Sequence, residues 1–354
     1  MSYRIGSFNC HNMGQNASDE KISKIAHIIE QEHFDIVALQ EVFCSTRHNA
    51  GLIKYNNPDK DSIIKAGTPN YPISALLSHL SMSWNAYFAA PEQARDAREG
   101  YVFLWNTKTI RLPKVQLTSG EERIFYPRIF SQYKLDKSQK QIDLIRNPLY
   151  ARFVPIEQPK MEFRIINTHI RFSKDSGINT DNTDDTFLDL SAAKMRLNEF
   201  NILSRTIYPK ICEKIYGEQD AGGLGSFFTV LIGDYNLNLK RKWTQAPFIP
   251  CEEFEIGEGH NGVSRVLKIY NEGLTTLKRI EEGKEEEYKN QQKYSNNYDH
   301  VTLDKNRFSE ANGIKFSVKK IDAVRQYDNN DFVHYRKKIS DHIPICLDFE
   351  NKNK

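Results

Sequence analysis

The fold of this chain is decided by the stretch Thr229-Val230-Leu231-Ile232-Gly233-Asp234-Tyr235-Asn236. An apolar run of this length that stops at glycine is typical of a buried strand. Side chains alternate along an extended backbone, so Asp234 and Asn236 are expected on the same side of the strand end. A carboxylate and an amide are costly to bury there without a partner. That partner is either a metal with a phosphate or merely a turn, because Gly-Asp-X-Asn is also common turn chemistry.

Strands that end or begin on polar side chains recur along the chain. Three further runs end this way, at Asn9, at Gln40-Glu41 and at Asn167-Thr168-His169. Two more strands are expected to begin this way, at Asp299-His300 and at Asp341-His342. Any one of them has a simple structural explanation, such as a loop acid or a hydrogen-bonded core histidine. Together they predict one shared rim of a β core.

Composition and cysteine usage limit the class of protein. The 354 residues, 39% of them hydrophobic, suffice for a sizeable core in one large domain or two ordinary ones. The five cysteines form no metal-type cluster, and their odd number argues against a disulfide framework. No apolar signal segment begins the chain, and no stretch approaches the ~20 apolar residues needed to cross a bilayer. We therefore expect a cytoplasmic protein that does not contact a membrane.

Basic residues cluster beside the polar strand ends, although the net charge of +3 is too small to steer a polyanion strongly. The clusters are Lys240-Arg241-Lys242 after Asp234, Arg336-Lys337-Lys338 before Asp341, Arg171 and Lys174 after His169, and Arg146 and Arg152 around another strand. Each cluster alone is as well explained by a solvated loop. As a set they fit a phosphate-rich ligand.

The remaining pattern predicts a β core with helices outside. An amphipathic helix is expected over Ser18–Phe34, and a longer one over Thr186–Tyr216 that Pro209 bends or divides. Further strands are expected at Tyr101–Trp105, Leu149–Pro155 and Phe316–Lys320. Strands outnumber helices without strict alternation, which favours a packed β core over a doubly wound sheet.

The chain is expected to form a single domain spanning residues 1–354. The candidate residues are spread from Asn9 to His342, so the whole chain must fold as one unit to bring them together. Four segments are interpreted as surface insertions, near residues 49–71, 172–185, 221–226 and 278–297. The last of these, which is rich in glutamate and lysine, is expected to be a charged hairpin or loop.

The polar strand ends supply the groups needed to hydrolyse a phosphate ester. Carboxylate and amide oxygens are the donors that Mg²⁺ or Mn²⁺ prefers, and a structural zinc site is not expected without thiolates. The two histidines suit acid–base roles, each oriented by a carboxylate. Adjacent side chains diverge on a strand, so the partner of His342 is expected to be Asp299, or Asp341 across a turn. The hard oxygen donors are Asn9, Glu41, Asp234, Asn236, Asp299 and Asp341.

The order of these motifs resembles the endonuclease/exonuclease/phosphatase superfamily over nearly the whole chain. The resemblance implies a four-layer α/β/β/α sandwich, with two central, mostly antiparallel β-sheets, helices outside and a Mg²⁺-dependent site at one end. It implies that Glu41 binds the metal with help from Asn9, and that Asp341 is a second metal-side carboxylate. It also implies the catalytic roles: His342 as general base held by Asp299, Asp234 and Asn236 positioning water and phosphate, and His169 stabilising the phosphate or acting as general acid.

Two stretches resemble the deoxyribonuclease-I-like branch of that superfamily. Glu99, before the strand that contains Tyr101, matches a glutamate that pairs with the histidine equivalent to His169. Ile145-Arg146-Asn147-Pro148 resembles an Arg-X-Pro turn whose arginine reaches substrate phosphate. Tyr235 departs from the family, which usually has phenylalanine there. The substrate-binding candidates are Tyr101, Arg146, Arg171, Lys240 and Arg241.

The sequence therefore predicts a Mg²⁺-dependent nuclease that hydrolyses DNA phosphodiester bonds and leaves 5′-phosphate ends. A second hypothesis is a phosphoesterase that acts on a small phosphorylated metabolite or a lipid headgroup. A third is an inactive scaffold that binds a partner. The scaffold hypothesis predicts that a catalytic position has been lost, whereas every position that can be placed is filled.

Overall fold

The computed structural model describes residues 1–44, 50–54, 71–91, 99–116, 119–131, 144–171, 190–213, 226–238, 253–256, 265–270, 273–288 and 293–352. Two large β-sheets form its centre. The strands are β1 (Ser2–Met13), β2 (Ile36–Phe43), β3 (Ala50–Lys54), β4 (Trp84–Ala89), β5 (Glu99–Asn106), β6 (Ile110–Arg111), β7 (Lys114–Gln116), β8 (Glu122–Ile124), β9 (Arg128–Ile129), β10 (Leu149–Pro155), β11 (Met161–His169), β12 (Ser226–Asp234), β13 (Glu253–Ile256), β14 (Arg265–Tyr270), β15 (Asp299–Asp304), β16 (Ile314–Lys320) and β17 (Ile345–Asn351).

The first sheet has the strand order β16-β17-β1-β2-β5-β4-β3, and the second has the order β13-β14-β15-β12-β11-β10-β6, with β9 added beside β10. The strands β7 and β8 form a separate hairpin. Within each large sheet one neighbouring pair is parallel, β1 with β2 and β11 with β12, and the other pairs are antiparallel. This confirms the prediction of two mostly antiparallel sheets.

The helices lie on the outer faces of the two sheets. They are α1 (Asp19–Gln31), α2 (Tyr71–His79), α3 (Leu190–Asn201), α4 (Tyr208–Glu213), α5 (Glu285–Tyr288), α6 (Ala323–Tyr327) and α7 (Phe332–His334), with π-helical turns at Ile202–Ile207 and Tyr335–Ile339 and a 3₁₀ turn at Glu310–Asn312. One apolar cluster packs α1, α2 and α6 on the first sheet, and another packs α3 and α4 on the second. A third cluster joins the two sheets face to face. The chain is therefore a four-layer α/β/β/α sandwich, as predicted.

The first predicted helix is confirmed, with shorter bounds than expected. The Ser18 side chain accepts a hydrogen bond from the Lys21 N–H and so begins α1. The helix ends at Gln31 rather than Phe34, because His33 has a left-handed backbone with φ of 51°. Ile22, Ile25 and other residues of its apolar face are fully buried against the first sheet.

The second predicted helix runs through α3, a π-helical turn and α4, within the described residues of that span. Pro209 does not divide it. Proline lacks an N–H and its ring crowds the preceding turn, and the chain accommodates this just before Pro209 with a wider turn. The Tyr208 N–H there donates to Leu203 five residues back.

Parts of the predicted insertions form regular secondary structure. Ala50–Lys54, within the first, forms β3 at the edge of the first sheet. Most of the first insertion, all of 172–185 and residues 221–225 lie outside the described residues. In the fourth, Leu277 and Tyr294 form a β-bridge, and Glu285 at the start of α5 accepts a hydrogen bond from Lys337 at 2.9 Å. Among the described helices, none has the length and apolar character needed to cross a membrane.

Candidate active site

The polar strand ends meet at one rim of the sandwich because of the strand directions. The carboxyl ends of the parallel pairs β1–β2 and β11–β12 carry Asn9, Glu41, His169 and Asp234. Their antiparallel neighbours β5 and β15 begin at the same rim, with Glu99 and Asp299. Since β17 is antiparallel to β1, the segment that leads into it brings in Asp341 and His342. The expected shared rim is thus present in the fold.

A bulge between β1 and β2 presents Glu41. Asn9 pairs with Gln40, but the next pair is Met13 with Val42, so three residues of β1 face one residue of β2. His11, Asn12 and Glu41 have φ values of 42°, 58° and 55° in the left-handed region. Side chains hold this strained backbone: the His11 N–H donates to Asn9 Oδ1 at 2.9 Å, and the Asn12 N–H donates to Glu41 Oε2 at 3.0 Å.

The end of β12 combines the two explanations offered for its Gly-Asp-X-Asn sequence. Gly233 has φ of 144°, and a Cβ there would lie 2.0 Å from the Thr168 carbonyl oxygen, so only glycine fits. Asp234 Oδ1 accepts the Asn236 N–H at 2.8 Å, which is turn chemistry. Asn236 itself is left-handed, and its side chain donates to the Ile170 carbonyl at 2.8 Å. The turn leaves Asp234 Oδ2 for the site.

Three side chains converge on Asp234 Oδ2. Asn9 Nδ2 lies 3.0 Å from it, His169 Nε2 lies 3.6 Å and His342 Nε2 lies 3.7 Å. Asn9 Nδ2 also donates to Glu41 Oε1 at 3.1 Å, and that oxygen is 3.9 Å from His169 Nε2. Five segments far apart in sequence therefore bring two carboxylates, two imidazoles and an amide around one point.

Each of the two histidines is oriented by a carboxylate at its other ring nitrogen. His342 Nδ1 lies 2.8 Å from Asp299 Oδ2, whereas its Nε2 is 4.0 Å from Asp341. Asp299 is thus the orienting acid, which resolves the alternative left open by the sequence. His169 Nδ1 lies 2.7 Å from Glu99 Oε1. Both pairs are buried and leave Nε2 directed towards Asp234.

The substrate-binding candidates are placed differently from one another. Tyr101 is only 2% exposed and its hydroxyl accepts the His169 N–H, so it supports His169 and does not face substrate. Arg146 pairs with Glu99 at 2.6 Å and contacts His169 Nδ1 at 2.8 Å. Arg171 is exposed just after β11. Lys174 and residues 240–242, which include the candidates Lys240 and Arg241, lie outside the described residues.

Asp341 is held on the outer side of the site. Its Oδ1 lies 2.9 Å from His11 Nδ1, and its Oδ2 lies 3.4 Å from Arg336 Nη1. Burial would raise the pKa of the Asp341 carboxyl, but His11, His342 and Arg336 outweigh it and the pKa falls well below its usual range. Asp341 therefore remains a carboxylate that these neighbours partly neutralise.

Burial and charge perturb the buried groups in opposite directions. Burial raises the pKa of Asp234 to about 6, although His342 and His169 oppose the rise. Burial would lower the pKa of His342, but Asp299 and Asp234 hold it well above the usual histidine value. The pKa of Glu99 is lowered, because its partners His169 and Arg146 outweigh its burial. Groups perturbed in this way in one cluster are typical of functional sites.

The residues present fit a hard divalent cation. The carboxylates of Glu41 and Asp234 share one amide donor, so their oxygens lie close together, and oxygen is the donor atom that Mg²⁺ or Mn²⁺ prefers. Asp234, Asp299 and His342 also have ligand atoms within 4.8 Å of one another, but the Asp299–His342 hydrogen bond occupies two of them. Asn9 presents its amide nitrogen to the carboxylates and its oxygen to His11, so here it links the acids.

Buried residues to which the sequence analysis gave no role also support the site. Gln40 Nε2 donates to Asn167 Oδ1 at 2.7 Å, and Asn167 Nδ2 donates to the Leu39 carbonyl at 3.0 Å. This buried contact joins the two sheets next to Glu41 and His169. Alternation along each strand could have revealed it, since Gln40 and Asn167 both occupy inward positions. Glu199 on α3 is 3% exposed, and burial raises its pKa to about 7 although Arg146 opposes the rise; no sequence motif marked it.

Comparison with known proteins supports the fold. No protein-family model and no curated protein sequence matches the chain. An endonuclease/exonuclease/phosphatase structure from Bacteroides vulgatus is 12% identical with a TM-score of 0.50, covering 99% of this chain and 100% of its own. D. rerio TDP2 in complex with single-strand DNA product is 12% identical with a TM-score of 0.51, covering 99% of each chain. A mannosyl-6-phosphatase from Bacteroides thetaiotaomicron is 11% identical with a TM-score of 0.46, covering 98% of this chain and 99% of its own.

These identities are low, but the likeness extends over the whole length of both chains. The chain has the fold of the endonuclease/exonuclease/phosphatase superfamily.

Proposed function

We propose that this protein is a Mg²⁺-dependent nuclease that hydrolyses phosphodiester bonds of DNA and leaves 5′-phosphate ends. The observation that carries the proposal is the convergence of the His169 and His342 Nε2 atoms on Asp234 Oδ2, at 3.6 and 3.7 Å. Two imidazoles that face one carboxylate, each held by its own acidic residue, can supply one proton acceptor and one proton donor to a scissile phosphate.

In the proposed reaction His342 acts as general base. Its Nδ1 donates to Asp299, which fixes the ring, and its Nε2 would accept a proton from water once a bound cation offsets the Asp234 charge that raises the His342 pKa. Asp234 and Asn236 position that water and the phosphate, and His169 donates from Nε2 to the phosphate or the leaving oxygen. A divalent cation, held by Glu41 and Asp234 with Asn9 and Asp341 nearby, would neutralise charge on the pentacovalent transition state.

The choice of DNA over a small ester rests on basic side chains and on one relative. Arg146, Arg171 and Arg336 lie around the site, where guanidinium groups suit phosphates on either side of a cleaved bond. The D. rerio TDP2 structure of the same fold contains a single-strand DNA product. A polymer with several phosphates can contact several of these basic side chains, whereas a small phosphate ester does not need them.

The proposal is tested by incubating the pure protein with supercoiled plasmid and Mg²⁺, with and without chelator. We expect nicking that chelator abolishes and that His342→Ala reduces by about 10²- to 10⁴-fold. The matched control is His79→Ala, which removes a histidine that also pairs with an aspartate, Asp19 at 2.8 Å, away from the site. Labelling of the new ends should show 5′-phosphate.

The competing functions give different results in the same experiment. Intact plasmid together with Mg²⁺-dependent release of phosphate from small monoesters would contradict the nuclease and favour a phosphatase. Intact plasmid, no phosphate release and no rise in melting temperature with Mg²⁺ or Mn²⁺ would favour an inactive scaffold, because a ligand that binds the native state must stabilise it.

A further inference from the structure

A third imidazole–carboxylate pair lies at the mouth of the site. His11 Nδ1 is 2.9 Å from Asp341 Oδ1, and the same oxygen is 4.0 Å from His342 Nε2. The His11 side chain is 44% exposed, against 5% for His169 and 10% for His342. His11 is therefore the most exposed of the three imidazoles at the site.

The backbone at His11 is strained and firmly held. Its φ of 42° is unusual for a residue with a bulky side chain, and such strain persists only where the surroundings enforce it. Its N–H donates to Asn9, and its carbonyl accepts the buried Lys21 ammonium at 2.7 Å. The chain thus keeps an exposed ring in one place beside the buried site.

We propose that His11 is a further substrate-binding residue, which contacts a phosphate oxygen of the substrate through Nε2; the inference rests on the proposed phosphoesterase function. His11 Nδ1 lies 2.9 Å from Asp341 Oδ1, which places Nε2 on the far side of the ring from Asp341. No described residue contacts that nitrogen. An Nε2–H group on the exposed side of the His11 ring can donate a hydrogen bond to a phosphate oxygen.

This assignment gives Asp341 a role besides the expected metal-side carboxylate. Its two oxygens face His11 and Arg336, at 2.9 and 3.4 Å, and both of these groups bind phosphate well. Asp341 would then align two phosphate-binding side chains on the outer wall of the site, opposite the buried pair of His169 and Glu99.

The test compares His11→Asn with wild type in Mg²⁺-dependent hydrolysis. Asparagine tolerates the left-handed backbone and so preserves the bulge, but it cannot reach where the ring reached. A contact made equally in the ground and transition states changes KM rather than kcat. We expect KM for oligonucleotide to rise about tenfold, with kcat within about threefold of wild type.

The matched control is His33→Asn. His33 is also exposed and left-handed, with φ of 51°, but it precedes β2 at the opposite end of the sheet. Its replacement should leave KM and kcat unchanged. Equal KM values for His11→Asn and wild type would overturn the inference.

A binding measurement separates this inference from the proposed function. The NMR ring resonances of His11 are assigned as those missing from the spectrum of His11→Asn. They are then followed while inorganic phosphate is added to the wild-type protein with Mg²⁺. A saturable shift of the His11 signal, without one at His33, supports the inference even if no ester tested is hydrolysed. An unmoved His11 signal overturns it, whether or not the protein is a nuclease.

Discussion

The hydrogen bond between His342 and Asp299 predicts that replacing Asp299 will strongly reduce activity. Replacing Asp299 with asparagine retains the size and shape of the side chain in a position that is 2% exposed. The amide can donate to His342 Nδ1, which would place the ring proton on Nε2. His342 could then no longer accept a proton from water, because the nitrogen that faces the site would already carry one.

The magnitude follows from the geometry. At an N–O distance of 2.8 Å and an effective dielectric of about 20, an aspartate stabilises a charged imidazole by roughly 6 kcal/mol before desolvation is counted. Each tenfold change in rate corresponds to about 1.4 kcal/mol. Loss of a positioned base commonly lowers the rate by about 10²- to 10⁴-fold, or about 3–5 kcal/mol, which lies within what this pair can supply.

The assay is the Mg²⁺-dependent rate of plasmid nicking, measured under single-turnover conditions. We expect Asp299→Asn to be about 10²- to 10⁴-fold slower than wild type. The control is Asp35→Asn, because Asp35 is likewise a hydrogen-bonded acid, which accepts from Arg4 and Thr109, but it lies at the far end of β2. A rate for Asp299→Asn within threefold of the control would refute the role assigned to Asp299.

A stability measurement on metal-free protein checks the same pair independently of activity. The pKa of His342 is raised in the fold, against burial, by Asp299 and Asp234. The stabilisation is therefore fully present below the unfolded histidine pKa of about 6.5 and is lost as pH rises through the higher folded pKa. Thermal melts between about pH 6 and alkaline pH should show a smaller loss of stability in Asp299→Asn than in wild type.

Three further predictions concern the framework. Gly233→Ala should lower stability by more than about 2 kcal/mol in chemical denaturation, since its Cβ would meet the Thr168 carbonyl at 2.0 Å; a neutral effect would contradict the assigned backbone. Glu162→Leu should destabilise by about 3–5 kcal/mol, because it leaves the buried Arg152 and Arg164 without the carboxylate they share, and an unchanged melting curve would exclude that pairing. The pKa of His334 is raised, chiefly by Asp328, so its stabilisation holds below about pH 6.5 and fades as pH rises through the folded pKa; His334→Gln should flatten that dependence of melting temperature, and an identical slope would count against it.

The rim of the site could be predicted from the sequence because it depends on strand periodicity. The positions of Asn9, Glu41, His169 and Asp234 follow from where apolar runs stop, and strand direction then decides which ends meet. The choice of Asp299 over Asp341 as the partner of His342 could not be made, because it depends on the turn before β17. Only the fold shows that Asp341 faces His11 and Arg336.

The details that the sequence did not predict arise from irregular backbone and from packing. The bulge at His11 and Asn12 breaks the alternation on which strand arguments rely, so a third imidazole at the site could not be foreseen. Tyr101 was expected to bind substrate, but the inter-sheet core buries its ring. The π-helical turn before Pro209 was also not predicted; neighbouring turns can widen to absorb a missing N–H.

The central claim is that Asp234 is the point around which a metal-dependent phosphodiesterase site is built. It is tested most directly by the rate at which Asp234→Asn nicks supercoiled plasmid in Mg²⁺, relative to wild type, with both proteins shown to be folded by circular dichroism. We expect a rate at least about 10³-fold below wild type, because positioning and charge at the reacting phosphate are lost together. Nicking at the wild-type rate by a folded, metal-supplied variant would contradict it.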